Sequence, residues 1–516
     1  MNLKTLISVL IAAALIAGTA LVVSVAGFFS PAEDDALDYV PKDAAIYVNV
    51  FLNPSGPQKL ALDDLLNHFP EADSRDRARD LIVDLVDRGL EPAGLSFDDD
   101  IDPWLGHQIA AFVGAPTNLT APPPAATLVA TEDPAATEDA IDAAQESLGE
   151  SFTDRSYGGS DYETDGSGLA VGIVDAFLVS GTEAGFKAVV DARREGGLAD
   201  AERFKRSIAG LTEDRLALAY FDFQALGGLF AGAVPGGLPG FGGTEAVQPA
   251  VSILFARPDG LVVESSTGIP EGAAGDVTRS SARPSEVLAR LPADSWAAFG
   301  VPDVGGTIRG VLSGGVAGIL LPGLPPGSPL SPFGNFDIDR AVGWMGDAGI
   351  FVRGRNPAGL GGGIVVRAAD PDAADRGLDY LNKLLSGSGD RGGGGAVGRD
   401  FSIETGATTE PVFVYRRGDT VVAAYGDGAA QAALPGKPSL DDSTVLDDAT
   451  SVLGDGFQVG GFVLVPDAVA LIEASIPDDP VYRAEVKPWL DPLSMFTFGS
   501  KLDGERLLTR IVLGVR

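Results

Sequence analysis

The chain has 516 residues, 45% hydrophobic and 21% charged, enough apolar material for more than one buried core. Its formal net charge of −35 sets up a field that repels phosphates, which argues against nucleic acid as a partner. Cysteine is absent, which removes disulfides, thiolate nucleophiles, Cys-based metal sites and acylation on an N-terminal cysteine.

The first element is an uncharged apolar run over residues 6–29. As a helix it is about 36 Å long, enough to cross a ~30 Å hydrocarbon core. Lys4 precedes it and Glu33, Asp34 and Asp35 follow, so the N-terminus is expected in the cytoplasm and the body outside. Residues 1–32 therefore read as a retained transmembrane anchor, with the membrane as partner through residues 6–29. The alternative is a cleaved signal peptide, with Ser24-Val25-Ala26 as the small-x-small site, and secretion of the remainder.

After residue 35 a set of landmarks occurs twice in the same order. Val40-Pro41-Lys42-Asp43-Ala44-Ala45 is matched by Leu291-Pro292-Ala293-Asp294-Ser295-Trp296. Phe97-Asp98, Trp104-Leu105-Gly106 and Phe112 are matched by Phe336-Asp337, Trp344-Met345-Gly346 and Phe351. Asp133-Pro134 is matched by Asp370-Pro371, Gly181 by Gly426, Asp222 by Asp467, and the turn Asp259-Gly260 by Asp503-Gly504. Gly181 to Asp222 and Gly426 to Asp467 both span 41 positions. The expected organisation is a first repeat over 36–268, a joint over 269–284 and a second repeat over 285–516.

Within the first repeat, alternating or β-branched runs predict strands over 45–51, 108–113, 169–174 and 216–221. Helical patterns cover 58–68, 134–148 and 182–193, with Pro134 at a first turn behind Asp133. Hairpin signals at Asp259-Gly260 and Asp503-Gly504 favour antiparallel pairing. The fold class is therefore α+β: two tandem, internally duplicated units with largely antiparallel sheets, plus one N-terminal transmembrane helix. Two Gly/Pro-rich apolar stretches, 227–243 and 310–334, read as long loops or as contact flaps for lipid or a partner protein.

Each chemical candidate meets a plainer explanation. His68 and His107 are the only histidines, too few for a zinc site or a triad without Cys, and His107 reads as a polar residue opening a strand. Asp98, Asp99, Asp100 and Asp102 resemble a calcium loop, but Pro103 and Ile109 stand where glycine and an acidic residue are required. The second repeat keeps only Asp337 and Asp339 of that cluster, so a turn in which Asp side chains cap amides is the better account. Gly393, Gly395 and Gly398 satisfy G-x-G-x-x-G, yet a glycine-rich loop precedes them and a strand-like run follows, the wrong context for a dinucleotide. Asp222 and Asp467 end matching strands and read as N-caps for helices from 223 and 468; as a facing pair they would suit acid–base chemistry. Trp104 and Trp344 read as core anchors. No catalytic, cofactor-binding or metal-binding residue is assigned, and no cofactor is expected.

At Val40-Pro41-x-Asp43-Ala44-Ala45-x-Tyr47 and at Phe97…Asp100-Ile101-x-Pro103-Trp104-Leu105-Gly106, the chain resembles domain-of-unknown-function family 3352. The resemblance spans most of residues 36–516, with Ser295-Trp296-Ala297-Ala298 departing from the motif in the second repeat. It implies export or membrane anchoring and carries over no site residues. The expected function is a non-catalytic extracytoplasmic envelope protein that binds an unknown envelope protein or ligand. A carrier of an apolar or lipid ligand is the alternative, and a carboxylate-dependent hydrolase the third reading.

Overall fold

The structure is a computed structural model, described here for residues 33–69, 83, 86–88, 90, 95–115, 122–148, 151–212, 214–225, 248–269, 283, 285–306, 308, 337–386, 401–403, 411–475 and 479–516. The described residues divide into two compact units, one running up to Gly268 and the other from Ile269 to Arg516.

Among the described residues unit 1 holds ten strands: β1 (Ala44–Phe51), β2 (Leu105–Gly114), β3 (Ala125–Thr131), β4 (Thr153–Tyr157), β5 (Ser160–Thr164), β6 (Leu169–Val174), β7 (Phe177–Thr182), β8 (Ala217–Phe221), β9 (Ala250–Arg257) and β10 (Gly260–Gly268). All pairings are antiparallel and run β10-β9-β8-β1-β2-β3-β7-β6-β5-β4. The period-2 pattern of each strand sorts its side chains between two faces. Tyr47 lies opposite Phe112 on one side and Tyr220 on the other. These three residues, with Leu128, Val179 and Ile253 on the same face, are at most 2% exposed.

Among the described residues the unit also includes helices α1 (Gly56–Leu66), α2 (Pro134–Leu148), α3 (Glu183–Glu195) and α4 (Glu202–Ile208). Asp133 caps α2 by accepting from the amides of Ala135 and Ala136, both at 3.1 Å. Thr182 Oγ1 caps α3 by accepting from Gly185 N at 2.9 Å. Such caps satisfy amides that have no partner inside the helix. Helix α3 buries Phe186, Val189 and Val190.

Unit 2 holds β11 (Ser295–Val301), β12 (Met345–Arg353), β13 (Gly361–Ala368), β14 (Phe401–Ile403), β15 (Val412–Arg417), β16 (Thr420–Tyr425), β17 (Gln458–Leu464), β18 (Leu493–Asp503) and β19 (Arg506–Val515). They pair, again all antiparallel, in the order β19-β18-β17-β11-β12-β13-β16-β15-β14. Strand for strand this is the order of unit 1 from β10 to β5; β4 has no counterpart among the described residues.

Among the described residues, the helices of unit 2 include α5 (Ile338–Val342), α6 (Pro371–Ser386), α7 (Asp427–Ala432), α8 (Val445–Leu453), α9 (Val465–Ser475) and α10 (Lys487–Leu490). The register sets two cores on opposite faces of its sheet. On one face Ala298, Phe351, Val365, Val422 and Phe462 meet Ala430 of α7, Ala449 of α8 and Leu288. On the other, Ala348, Val366 and Val421 meet Ala374 and Leu378 of α6 and the indole of Trp344. Asp370 caps α6 through the amides of Asp372 at 2.9 Å and Ala373 at 3.0 Å, as Asp133 caps α2. Gly377 of α6 is required by sterics, because a Cβ there would overlap Trp344 Nε1.

The expected mixture of helix and antiparallel sheet is what the structure contains. The expected membrane-spanning helix finds no support in it: no described helix is long and apolar enough to cross a membrane, and residues 6–29 lie outside the described residues. The stretches 227–243 and 310–334 and the glycines at 393, 395 and 398 also lie outside them, as do residues 270–282 of the expected joint.

Candidate functional site

The sequence candidates resolve into structural roles. In the aspartate-rich turn, Ser96 Oγ accepts from Asp99 N at 3.4 Å and Asp100 Oδ2 accepts from Ser96 N at 2.7 Å. Asp337 caps α5 by accepting from Arg340 N at 3.0 Å. Among the described residues no group of three or more His, Asp or Glu side chains is placed to hold a metal ion. Trp104 and Trp344 are 4% and 2% exposed. Each indole N–H donates to a backbone carbonyl of the preceding turn, Asp100 O at 2.6 Å and Ala341 O at 2.8 Å.

Asp222 caps the turn after β8 through the amides of Gln224 and Ala225 at 3.0 and 3.1 Å, and Arg203 clamps its two oxygens, each at 2.8 Å. Asp467 departs from expectation. Its helix begins at Val465, so the residue lies in the first turn of α9 rather than at the cap, where it pairs with Arg355. The helix starts three residues earlier than a cap at Asp467 implies, because Pro466 suits the first turn, having no amide to leave unpaired. His68 is exposed, its Nδ1 2.9 Å from Asp64 O.

His107 leads to a feature that the sequence reading missed. Its Nε2 lies 3.0 Å from Asp35 Oδ2 and 2.9 Å from Gln108 Nε2. Gln108 Oε1 accepts from Asn49 Nδ2 at 2.8 Å, and the same amide nitrogen donates to Asp34 Oδ1 at 2.7 Å. Tyr47 OH donates to that oxygen at 2.5 Å. Arg215 Nη2 stands 4.0 Å from Asp34 Oδ2, with side-chain exposures of 9% and 4%. Burial pushes the Asp34 carboxyl up to about 6, against the lowering effects of the Tyr47 hydroxyl, Arg215 and Asn49. The available signal was Asn49, a polar residue at an inward position of an otherwise apolar strand.

A concave site lies in unit 2. Strands β13 and β16 form its floor with Val365, Arg367 and Thr420; the short helical turn Leu288–Arg290 and the loop after α7 form its walls. That loop is tied down by Leu440 N donating to Leu291 O at 2.8 Å and Ala293 N donating to Pro438 O at 3.2 Å. The cavity measures about 290 Å³. Val287, Val365, Ala433 and Leu434 give it apolar surface, and Arg290, Arg367, Lys437 and Asp419 bring charge. Arg367 is neutralised by Glu286 and by Asp419, the latter at 3.4 Å. Arg290 and Lys437 are exposed, and neither side chain has an ion-pair or hydrogen-bond partner among the described residues.

The corresponding place in unit 1 is filled. Val40-Pro41 and Leu291-Pro292 open the two units, which sets Arg290 where unit 1 has Tyr39. Hairpin β6–β7 closes at Val174 opposite Phe177, and β15–β16 at Arg417 opposite Thr420, which sets Thr420 where unit 1 has Phe177; the sheet register agrees, and it places Ala424, two residues before the landmark Gly426, where unit 1 has Gly181. In unit 1 the rings of Tyr39 and Phe177 pack with centroids 4.8 Å apart. Arg193 lies over the Tyr39 ring at 5.2 Å, and both donate to Asp175, at 2.8 and 3.1 Å. Two aromatic side chains exchanged for an arginine and a threonine leave unit 2 with less bulk and more charge there. The signal was present in the landmarks, as an apolar-to-cationic exchange one residue before the shared x-Pro.

Comparison with solved structures finds crystal forms of TP0453 among the matches. Form I is 11% identical, with a TM-score of 0.24, covering 48% of this chain and 84% of that one. Form III is 13% identical, with a TM-score of 0.25, covering 48% and 86%. Likeness at that level carries neither fold nor function across. No functionally curated protein matches the chain. The profile described as "Protein of unknown function (DUF3352)" matches residues 5–501, nearly the full length, and the chain belongs to that family.

Proposed function

We propose that this chain is a non-catalytic binding protein of the cell envelope, placed outside the cytoplasm by residues 6–29, with the concave site of unit 2 as its ligand site. One observation carries the reading: a cavity of about 290 Å³ combines apolar walls with two cationic side chains that no described group neutralises, in a chain of net charge −35. Cations without an ion-pair partner beside a concave apolar surface are the composition that suits an anionic ligand with apolar surface of its own. The cavity is near the lower end of the range for small-molecule sites, about 300–1,000 Å³. That size favours a small ligand over a whole lipid and ranks the lipid-carrier reading second. The hydrolase reading is weakened because Asp222 and Asp467 are each held by an arginine.

We also infer that the two units arose by duplication. Six landmarks in one order and the shared strand order support it. On this view unit 1 kept an aromatic plug and unit 2 opened a site at the same place.

A C-terminal reporter that is active only outside the cytoplasm tests the placement. Native mass spectrometry of the full-length chain purified in mild detergent tests the binding. A reporter active only in the cytoplasm would overturn the placement, and a protein that neither carries nor takes up any small molecule would overturn the binding.

A further inference from the structure

We propose that the unit 2 cavity takes a small organic monocarboxylate, with its carboxylate toward Arg290 and Lys437 and its apolar part against Val287, Val365, Ala433 and Leu434. This deepens the binding-protein reading and rests on it.

The cations set the sign of the ligand. Arg367 is already held by Glu286 and Asp419, whereas Arg290 and Lys437 have no partner among the described residues. A guanidinium offers a planar fork of donors suited to a carboxylate, and an ammonium adds a compact point charge. The surrounding field sets the magnitude of the charge. A chain of net charge −35 repels a dianion twice as strongly as a monoanion, so a phosphate-like ligand is disfavoured against a singly charged acid. The walls set the remainder, because four aliphatic side chains gain only from a ligand that has apolar surface of its own. The unit 1 counterpart completes the argument: at the matching place the ring of Tyr39 packs on Phe177, where unit 2 has Arg290 and Thr420.

The test uses the full-length chain with hexanoate as probe, and 1-hexanol and inorganic phosphate as contrasts, followed by calorimetry. Saturable hexanoate binding is expected, weaker at higher salt, with both contrasts binding more weakly. Loss of one charge-assisted contact in Arg290→Gln or Lys437→Gln is expected to weaken hexanoate by about tenfold or more. Arg290→Lys should retain part of the affinity, and Arg290→Tyr, which restores the unit 1 plug, should abolish it. Both positions are exposed, so the fold is expected to survive these changes. Equal binding of hexanoate and 1-hexanol, phosphate binding tighter than hexanoate, or affinities unmoved by both glutamine variants would overturn the assignment. If hexanoate fails while native mass spectrometry finds a neutral molecule that Arg290→Tyr displaces, the anion assignment falls and the binding-protein reading stands.

Discussion

The hydroxyl of Tyr47 donates to Asp34 Oδ1 at 2.5 Å, joining the segment that precedes strand β1 to the middle of that strand. The contact lies in a side-chain network in which Tyr47, Asn49 and Gln108 are fully buried. Asp34 Oδ2 and Arg215 Nε are buried there without a hydrogen-bond partner, so the network is held together under electrostatic tension.

That tension makes stability depend on pH in a defined direction. Burial raises the Asp34 carboxyl from its ordinary 3.8 to about 6, so the folded state holds the proton more tightly than the unfolded state. The contribution is fully present below about pH 4 and is lost as pH rises through 6, at a cost of about 3 kcal/mol by pH 7. Asp34→Asn keeps an acceptor for Tyr47 and Asn49 and has no proton to lose. The stability of the variant relative to wild type is expected to rise by about 2–3 kcal/mol between pH 4 and pH 7, read from urea unfolding across that range. A difference that stays flat would remove Asp34 as the source.

Tyr47→Phe leaves the Asp34 carboxylate with one donor fewer. Loss of a hydrogen bond to a buried charged group is expected to cost about 1.5–3 kcal/mol at pH 7 and less at pH 4, where the carboxyl is neutral. A cost independent of pH would assign the loss to packing of the ring instead.

Gly377→Ala sets two principles against each other. An exposed helix position would gain about 1 kcal/mol from this exchange. Here the new methyl group overlaps the Trp344 indole, so overpacking of about 1–3 kcal/mol is expected to win and the thermal midpoint to fall. Trp344 fluorescence should shift in the same variant, since the contact is with the indole itself.

Asp133→Ala and Asp370→Ala each remove a side chain that accepts from two first-turn amides. Each is expected to cost about 1 kcal/mol in urea unfolding, and Asp133→Asn or Asp370→Asn to recover most of it. A loss near zero in both would mean that packing of α2 and α6 alone sets those helix starts.

Much of the fold was legible because its determinants are local. The alternation over 169–174 became β6 (Leu169–Val174), and Asp133-Pro134 began α2 at Pro134 as the capping chemistry requires. Asp467 was misplaced because a carboxylate at a strand end suits a cap and a first turn equally, and only the backbone of Val465-Pro466 separates the two. His107 read as an isolated polar residue; its partner Asp35 lies far back in the chain, where the sequence assigned only a charge flanking the apolar run.

Taken alone, the sequence determined the strand and helix periods, the starts of α2 and α3, the repeated order of landmarks and the acidic composition. These depend on residues within a few positions of one another or on composition, and neighbours along a chain interact whatever the remainder does. Only the tertiary structure decided that Asp34 meets Tyr47 and Arg215, and that Arg290 and Lys437 line one cavity with Val365. Those groups come from distant segments, and their charge and solvation depend on which strands pair and what covers them. A carboxylate in water and the same carboxylate against a buried strand are one letter with two chemistries.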